Sequence, residues 1–385
     1  MRGWTNVGNH FTTSYVLSWT LMQPNLPSEI KDQIGSPEMD PAAGSLKIVD
    51  NAFRTTSTMA SSKSTVSVLG ALQYFLDPTH TKLGVKVRRK LFWRKQDLDV
   101  SLRGKTAIVS GANSGIGKAV ARNLAGMGAE VHMLCRSAER GAKALESIRG
   151  TLASHGEGCD GSNVELHLVD LSEPQQIKDF ARDFKSTHAK VDILVNNAAV
   201  MPNELRFNSA GQEVALATNV IGFSGLIQSM APLLERSEDA RVVNVVSAGM
   251  FASKLHLPTI EKGLDRGACE AERDSYSGLN LYSQHHRARV MLTDHYADQL
   301  AAAGVRCNSV HPGWVDTPGL AGAKDMEGFY RMMGGALRDD DEGADTIVWL
   351  AACPGLRETG KYFFDRSARK KHKVSLFSTS ASTSI

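Results

Sequence analysis

The stretch best equipped for chemistry is Ser110-Gly111-Ala112-Asn113-Ser114-Gly115-Ile116-Gly117. An apolar run, Ala107 to Val109, precedes it, and a helix-like stretch, Lys118 to Met127, follows. A strand that breaks into glycines and reopens as a helix is a cradle for phosphate. The glycines let the backbone come close, and the helix N-terminus offers free N–H groups at the positive end of its dipole. The flanks are those the motif needs. A tightly packed strand–turn–helix with no ligand carries the same residues, and the triplet alone leaves both readings open.

The rest of the composition excludes several other chemistries. The 385 residues carry a formal net charge of +3, which gives no general affinity for nucleic acid. One local basic run, Lys86, Arg88, Arg89, Lys90, Arg94 and Lys95, is interleaved with Leu91, Phe92 and Trp93. It reads either as a peripheral membrane contact over 86–95 or as a solvated helix face. The five cysteines are odd in number, widely spaced and never in a C-x-x-C pair. That points to a reducing compartment, here taken as cytoplasmic, and away from disulfides and zinc. The histidines include no H-E-x-x-H, so no metal site is expected. No apolar run reaches the roughly 18 residues of a membrane span.

A phosphate cradle needs a sheet behind it. Residues 1–65, with Pro24, Pro27, Pro37 and Pro41 and a Ser/Thr-rich patch, read as a disordered extension, and Met59 as an alternative start. Residues 66–103 read as a short helical lead-in. From Thr106 strands and helices alternate: strands at Val131–Cys135, Val164–Val169, Ile193–Asn196, Arg241–Ser247, Val305–His311 and Lys361–Phe364. Helices fall at Ala138–Arg149, Pro174–His188, Ala210–Glu235, Asn280–Ala303 and Glu342–Ala352. Thr151–Ser162 reads as a Gly/Ser-rich insertion, Lys254–Gly278 as a polar excursion, and 366–385 as a disordered tail. Near-continuous apolar strands in such alternation predict an α/β fold, a Rossmann-type doubly wound parallel sheet in one domain over 104–365.

Further signatures follow in order: Asp170-Leu171 after the third strand, Asn196-Asn197-Ala198-Ala199, Asn219, Ser247, Tyr282, and Pro312-Gly313-Trp314-Val315-Asp316-Thr317. With the glycine loop they make the chain resemble a short-chain dehydrogenase/reductase over roughly residues 100–365. Ser110 stands for the family's Thr and Ala199 for its Gly. Within the family, His311 to Trp314, Gly343 to Thr346 and Gly360 to Phe364 are similar to the member 12 group, near the retinol-dehydrogenase-like reductases.

The resemblance implies an oxidoreductase interconverting an apolar carbonyl and an alcohol. Tyr282 would be the acid/base, Ser247 would polarise the carbonyl and Asn219 would hold a relay water. Ser110, Gly111, Asn113, Ser114, Gly115, Ile116 and Gly117 would carry the cofactor phosphates. Asp170 and Leu171 would hold the adenine, Asn197 the ribose, and Pro312, Gly313 and Thr317 the nicotinamide. Where NAD enzymes place an acid, about 20 residues past the glycines, this chain ends its strand Leu134-Cys135-Arg136. Arg136 and Lys118 suit a 2′-phosphate, so NADP(H) is expected; Arg136 capping a solvent-facing turn is the plainer alternative. Glycines and apolar residues from Trp314 to Leu337 resemble the family's substrate loop, although such residues also serve core or dimer packing. The family pairs through its two long helices, which implies a homodimer.

One departure bears on function. The family reads Tyr-x-x-x-Lys, and this chain reads Tyr282-Ser283-Gln284-His285-His286. His286 keeps a donor for ribose hydroxyls and loses most of the charge. The expectation is weaker activation of Tyr282, with activity rising as pH falls toward 6. The alternative is a catalytically weak nucleotide-binding or regulatory protein.

Overall fold

The computed structural model describes residues 78–371 apart from 155–160, 252 and 254. The expected extension over 1–65, the alternative start at Met59 and the last residues of the tail lie outside them.

The lead-in begins with a 3-10 turn at Pro78–His80, then α1 (Lys82–Leu91) and a turn at Lys95–Leu98. The alternation follows as β1 (Thr106–Ser110), α2 (Gly115–Gly126), β2 (Glu130–Cys135), α3 (Ala138–Ala153), β3 (Val164–Leu168), α4 (Pro174–Thr187) and β4 (Ile193–Asn196). Next come α5 (Val214–Leu234), β5 (Arg241–Val245), the short α6 (Leu257–Lys262) and α7 (Arg266–Ala271), and α8 (Gly278–Gln299). The chain closes with β6 (Arg306–His311), α9 (Pro318–Ala321), α10 (Glu327–Met333), α11 (Asp340–Ala352), β7 (Tyr362–Phe364) and β8 (Ser367–Arg369). The sheet order is β3-β2-β1-β4-β5-β6-β7-β8, parallel except for the last pair.

β1, β4 and β5 are buried along their whole length, because helices cover both faces of the sheet. One apolar cluster joins Ile108, Leu134 and Leu194 to α4, α5 and α8. The other joins Val109, Met133 and Val195 to α2, α3 and α11. The strand order reverses between β1 and β4, and a crevice opens outside the carboxyl ends of those strands. α5 is long and apolar enough by composition to cross a membrane, yet most of it is buried as core.

Three sequence expectations need correction. The helix expected from Ala210 starts at Val214, because the Glu213 carboxylate accepts the N–H groups of Ala215 and Leu216 and sets the cap there. The polar excursion holds two short helices, α6 and α7. The disordered tail expected from 366 starts too early. Asp365 and Arg366 take φ of 50° and 53° and turn the chain back as β8. Charge holds that non-glycine turn: Arg338 grips both carboxylate oxygens of Asp365 at 2.8 and 3.1 Å, and Arg366 grips Asp345 at 2.7 and 2.8 Å.

The Arg338–Asp365 pair is the hub of this end of the molecule. Arg338 also donates to the carbonyls of Pro312 and Thr79, and Arg88 of α1 reaches the same carboxylate at 3.0 Å. The basic run is therefore partly internal. Arg88 is spent on Asp365 and Arg89 lies over Trp93. Leu83, Val87, Leu91 and Phe92 remain exposed along α1 and its end.

Removing one partner from a fully buried pair strands the other charge. Asp365→Ala is expected to cost about 3–5 kcal/mol, whereas Arg331→Ala, which breaks an exposed pair with Glu327, is expected to cost under about 1 kcal/mol. Chemical denaturation of both variants beside the parent measures the difference.

Candidate active site

The crevice at the strand reversal is a cavity of about 690 Å³. The glycine loop and α2 form one end of it, Asp170 and Leu171 flank it, and Ser247, Tyr282 and His286 line the other end.

Packing enforces the glycines. A Cβ on Gly117 would sit 2.3 Å from the Gly111 carbonyl oxygen and 2.5 Å from the Asn197 amide nitrogen. Gly111 has φ +66° with Ala198 against it, and Gly115 has φ +54° with Thr317 beside it. The loop thus lies flat on the 197–198 segment, and the first turn of α2 faces the cavity. Ser110 supports this from below: its hydroxyl accepts the N–H groups of Asn197 and Ala198 at 3.1 Å each. Asn197 returns amide hydrogen bonds to the carbonyls of Ser110 and Gly111.

At the far end of β2 the cavity wall is basic. Arg136 and Arg140 both line it, and Arg136 lies 3.9 Å from Asp170. Lys118 does not join them; it donates to Ser147 on α3. At the other end Trp314, Leu320, Met326 and Phe329 make an apolar wall together with Met201 and Leu279. Gly313 takes φ +90°, and the Arg338 side chain fills the space where its Cβ would point. The Thr317 hydroxyl caps α9 by accepting the Leu320 N–H.

Ser247 lies two residues beyond β5, and Tyr282 lies in the second turn of α8. Burial pushes the Tyr282 phenol above its ordinary range, while the Arg289 charge and a hydrogen bond from Ser247 pull it back down. His286, one turn on, meets the Tyr282 ring edge-on with centroids 4.1 Å apart. Both of its ring nitrogens are buried without a hydrogen-bond partner.

Arg289 is the residue the sequence reading missed. Its guanidinium donates to the carbonyls of Asn219 at 2.6 Å, Val245 at 3.0 Å and Ala198 at 2.5 Å, and it lies over Phe223. It is fully buried and forms none of the ion pairs among the described residues. Burial lowers its pKa to about 10, so it stays charged at neutral pH. Position i+7 from Tyr282 puts it on the same helix face, and that spacing was the available signal.

Of the expected residues, Gly111, Asn113, Ser114, Gly115, Ile116, Gly117, Arg136, Asp170, Leu171, Asn197, Ser247, Tyr282, His286, Pro312, Gly313 and Thr317 line the one cavity. Two do not. Ser110 is buried behind the loop with its hydroxyl committed to backbone. Asn219 is fully buried in a π-helical stretch of α5. Its amide pairs with both backbone groups of Val200, and its backbone carbonyl accepts from Arg289. Arg140 and His311, not expected, also line the cavity.

The sequence matches the short chain dehydrogenase family model over residues 105–258. It is similar to dehydrogenase/reductase SDR family member 12 of Bos taurus, with 37% identity over 76% of this chain and 86% of that one. It is similar to human retinol dehydrogenase 12, with 32% identity over 69% of this chain and 79% of that one. Among solved structures, a dehydrogenase/reductase from Sinorhizobium meliloti superposes with a TM-score of 0.52 and 25% identity, over 70% of this chain and 96% of that one. A short chain dehydrogenase from Burkholderia cenocepacia in complex with NADP shares the fold, with a TM-score of 0.53 and 23% identity over 68% and 96% of the two chains.

The histidine charges set the pH response. Burial, then Arg289, His285 and His311, hold His286 well below 6.5. His285 is held at about 3 by burial and Arg289, and His132 at about 3 by burial and its neighbours His167 and His188. Burial and these neighbours therefore oppose the gain of charge on His286 expected as pH falls toward 6. These imidazoles protonate only in the unfolded chain, so their effect appears as stability lost below pH 6.5. Each contributes up to about 1.4 kcal/mol per pH unit. Urea unfolding at pH 7 and 5.5 is expected to show a fall of about 2.5 kcal/mol from His285 and His132 together, with His286 acting in the same direction.

Proposed function

Since this chain belongs to the short-chain dehydrogenase family of nicotinamide-dependent oxidoreductases, we propose that it is an NADP(H)-dependent reductase of an apolar carbonyl. The reading rests on one observation above the others: the Ser247 and Tyr282 hydroxyl side chains share a cavity with a glycine loop in which backbone closes the Cβ positions of Gly111 and Gly117.

The residues present fit the cofactor. The α2 N-terminus and the 111–117 loop suit the pyrophosphate. Arg136 and Arg140 suit a 2′-phosphate, since no carboxylate ends β2 and a guanidinium fork matches phosphate. Asp170 and Leu171, which line the cavity, would hold the adenine, Asn197 the ribose, and Pro312, Gly313 and Thr317 the nicotinamide. A nicotinamide dinucleotide held there would supply the hydride that carbonyl reduction needs. Ser247 holds the carbonyl oxygen, and Tyr282 delivers a proton to it as charge develops there. The apolar wall of Trp314, Leu320 and Phe329 selects a hydrophobic substrate.

The missing lysine changes the balance. In its place the fixed charge facing Tyr282 is Arg289, whose pull on the phenol is offset by burial. A phenol with a raised pKa is a weaker proton donor, so proton delivery to the carbonyl is slower than with a lysine in that place. The neutral, unbonded His286 also favours a second reading, in which the chain binds nucleotide and turns over weakly.

Tyr282→Phe is expected to lower kcat/KM for a hydrophobic aldehyde by about 10²–10⁴ with NADPH affinity retained. His286→Lys is expected to raise it by about tenfold or more, since a nearby cation stabilises the tyrosinate. Turnover by His286→Lys together with none by the parent establishes the second reading; no effect of Tyr282→Phe removes the first. Arg136→Asp is expected to shift the ratio of NADPH to NADH affinity toward NADH by about tenfold or more. Fluorescence titration with each nucleotide measures it, and an unchanged ratio takes Arg136 out of the site.

A further inference from the structure

At the other end of β2 from the cavity, three side chains turn donor atoms toward one another. His132 points into the core on the face of β2 that carries Leu134, it is fully buried, and its Nε2 has no hydrogen-bond partner. Glu130 Oε1 lies 3.8 Å from that nitrogen and 3.8 Å from Nε2 of His188, which follows α4. All three atoms fall within 4.8 Å of one another.

The second heteroatom of each side chain is held elsewhere. His132 Nδ1 is 3.0 Å from His167 Nε2. Glu130 Oε2 accepts from the Thr106 hydroxyl at 3.3 Å. His188 Nδ1 is 2.8 Å from the Thr187 hydroxyl and 3.3 Å from the Phe184 carbonyl. The Phe184 ring stacks on His188 at 3.9 Å and meets His132 edge-on at 4.8 Å, so one apolar side chain fixes both imidazole planes.

We propose that His132 Nε2, His188 Nε2 and Glu130 Oε1 form a zinc site, with water completing a tetrahedron. Two imidazoles and a carboxylate are zinc ligands, and zinc bonds of 2.0–2.1 Å place the donors about 3.3 Å apart. The 3.8 Å edges need to close by about 0.5 Å and the His132–His188 edge, within 4.8 Å, by up to about 1.5 Å; exposed Glu130 supplies part of the movement, and half-buried His188, sliding in the plane of its stack on Phe184, the rest. Outer partners that fix the tautomer and orientation of each ligand are the mark of a metal site. If His132 donates from Nδ1 to His167, its Nε2 carries the lone pair a metal requires. Burial keeps that imidazole neutral, so protons do not compete for it at neutral pH. The ion would also satisfy His132 Nε2, a buried nitrogen without a hydrogen-bond partner.

Its role would be a clamp, since it joins the outer half of the sheet to the end of α4 well away from the hydroxyls of Ser247 and Tyr282. No motif announces it. Donors at 130, 132 and 188 meet only because β2 and the C-terminus of α4 pack together.

The test is zinc titration of the full chain after treatment with EDTA and dialysis. The expected result is one equivalent bound with a micromolar or tighter Kd and a Tm raised by several degrees. Glu130→Gln and His188→Ala, both changes at solvent-accessible residues, are each expected to weaken zinc at least tenfold and to remove the Tm rise, with circular dichroism and NADPH binding unchanged. Substitution of cobalt is expected to give the visible bands of a tetrahedral N₂O₂ site in the parent and not in the variants. Equal zinc affinity in the parent and both variants, which would place the ion on other side chains, overturns the proposal. So does a parent that binds less than one equivalent or shows no Tm rise.

Discussion

A guanidinium without a carboxylate sits at the centre of this fold. Arg289 satisfies itself on three backbone carbonyls, and those carbonyls belong to the three segments that build the cavity: the turn after β4, the π-helical stretch of α5, and the end of β5. A buried charge is tolerated only when its hydrogen bonds are complete. Ala198, Asn219 and Val245 are thereby held to one geometry, and Ser247 follows two residues after Val245. Burial sets the protonation of Tyr282, His285 and His286 first, and the same Arg289 charge acts on all three after it.

That arrangement also sets the surroundings of Asn219. The π-helical stretch turns its amide toward Val200 and its backbone carbonyl toward Arg289, so the residue ties α5 to the turn after β4 and to α8. The neutral state of His286 follows from the same field, because a cation one helical turn away makes a second one costly in a buried site.

At the β7–β8 edge of the sheet an ion pair does comparable work. Arg338 and Asp365 join the lead-in, the Pro312-Gly313 turn and the β7–β8 hairpin. Arg338 occupies the space beside Gly313, so the residue must be glycine and the turn that lines the cavity is placed from behind. His80 stacks between Trp314 and Phe364 and closes the same corner. The lead-in is thus part of the domain, and the boundaries at 104 and 365 divide a continuous packing unit.

The sheet, its helices and the phosphate loop were legible in the sequence because each rests on local pattern. Apolar strands covered on both faces read as unbroken runs, and glycines flanked by strand and helix read as a cradle. Most of the cavity lining was legible too, from ordered motifs that fold topology brings to one sheet edge. Contacts between distant residues were not. Ser110 carries a polar side chain in a ligand motif, and only the proximity of Asn197 and Ala198 turns it inward. Lys118 and Arg140 both follow the glycine loop, and only helix packing sends the first to Ser147 and the second to the cavity. The sequence by itself determined which elements form and where their ends carry chemistry, because those depend on neighbours in the chain. Tertiary structure decided which charges are buried and what they touch, because desolvation and Coulomb energy depend on distance in space, where Arg289 meets carbonyls 44 to 91 residues away.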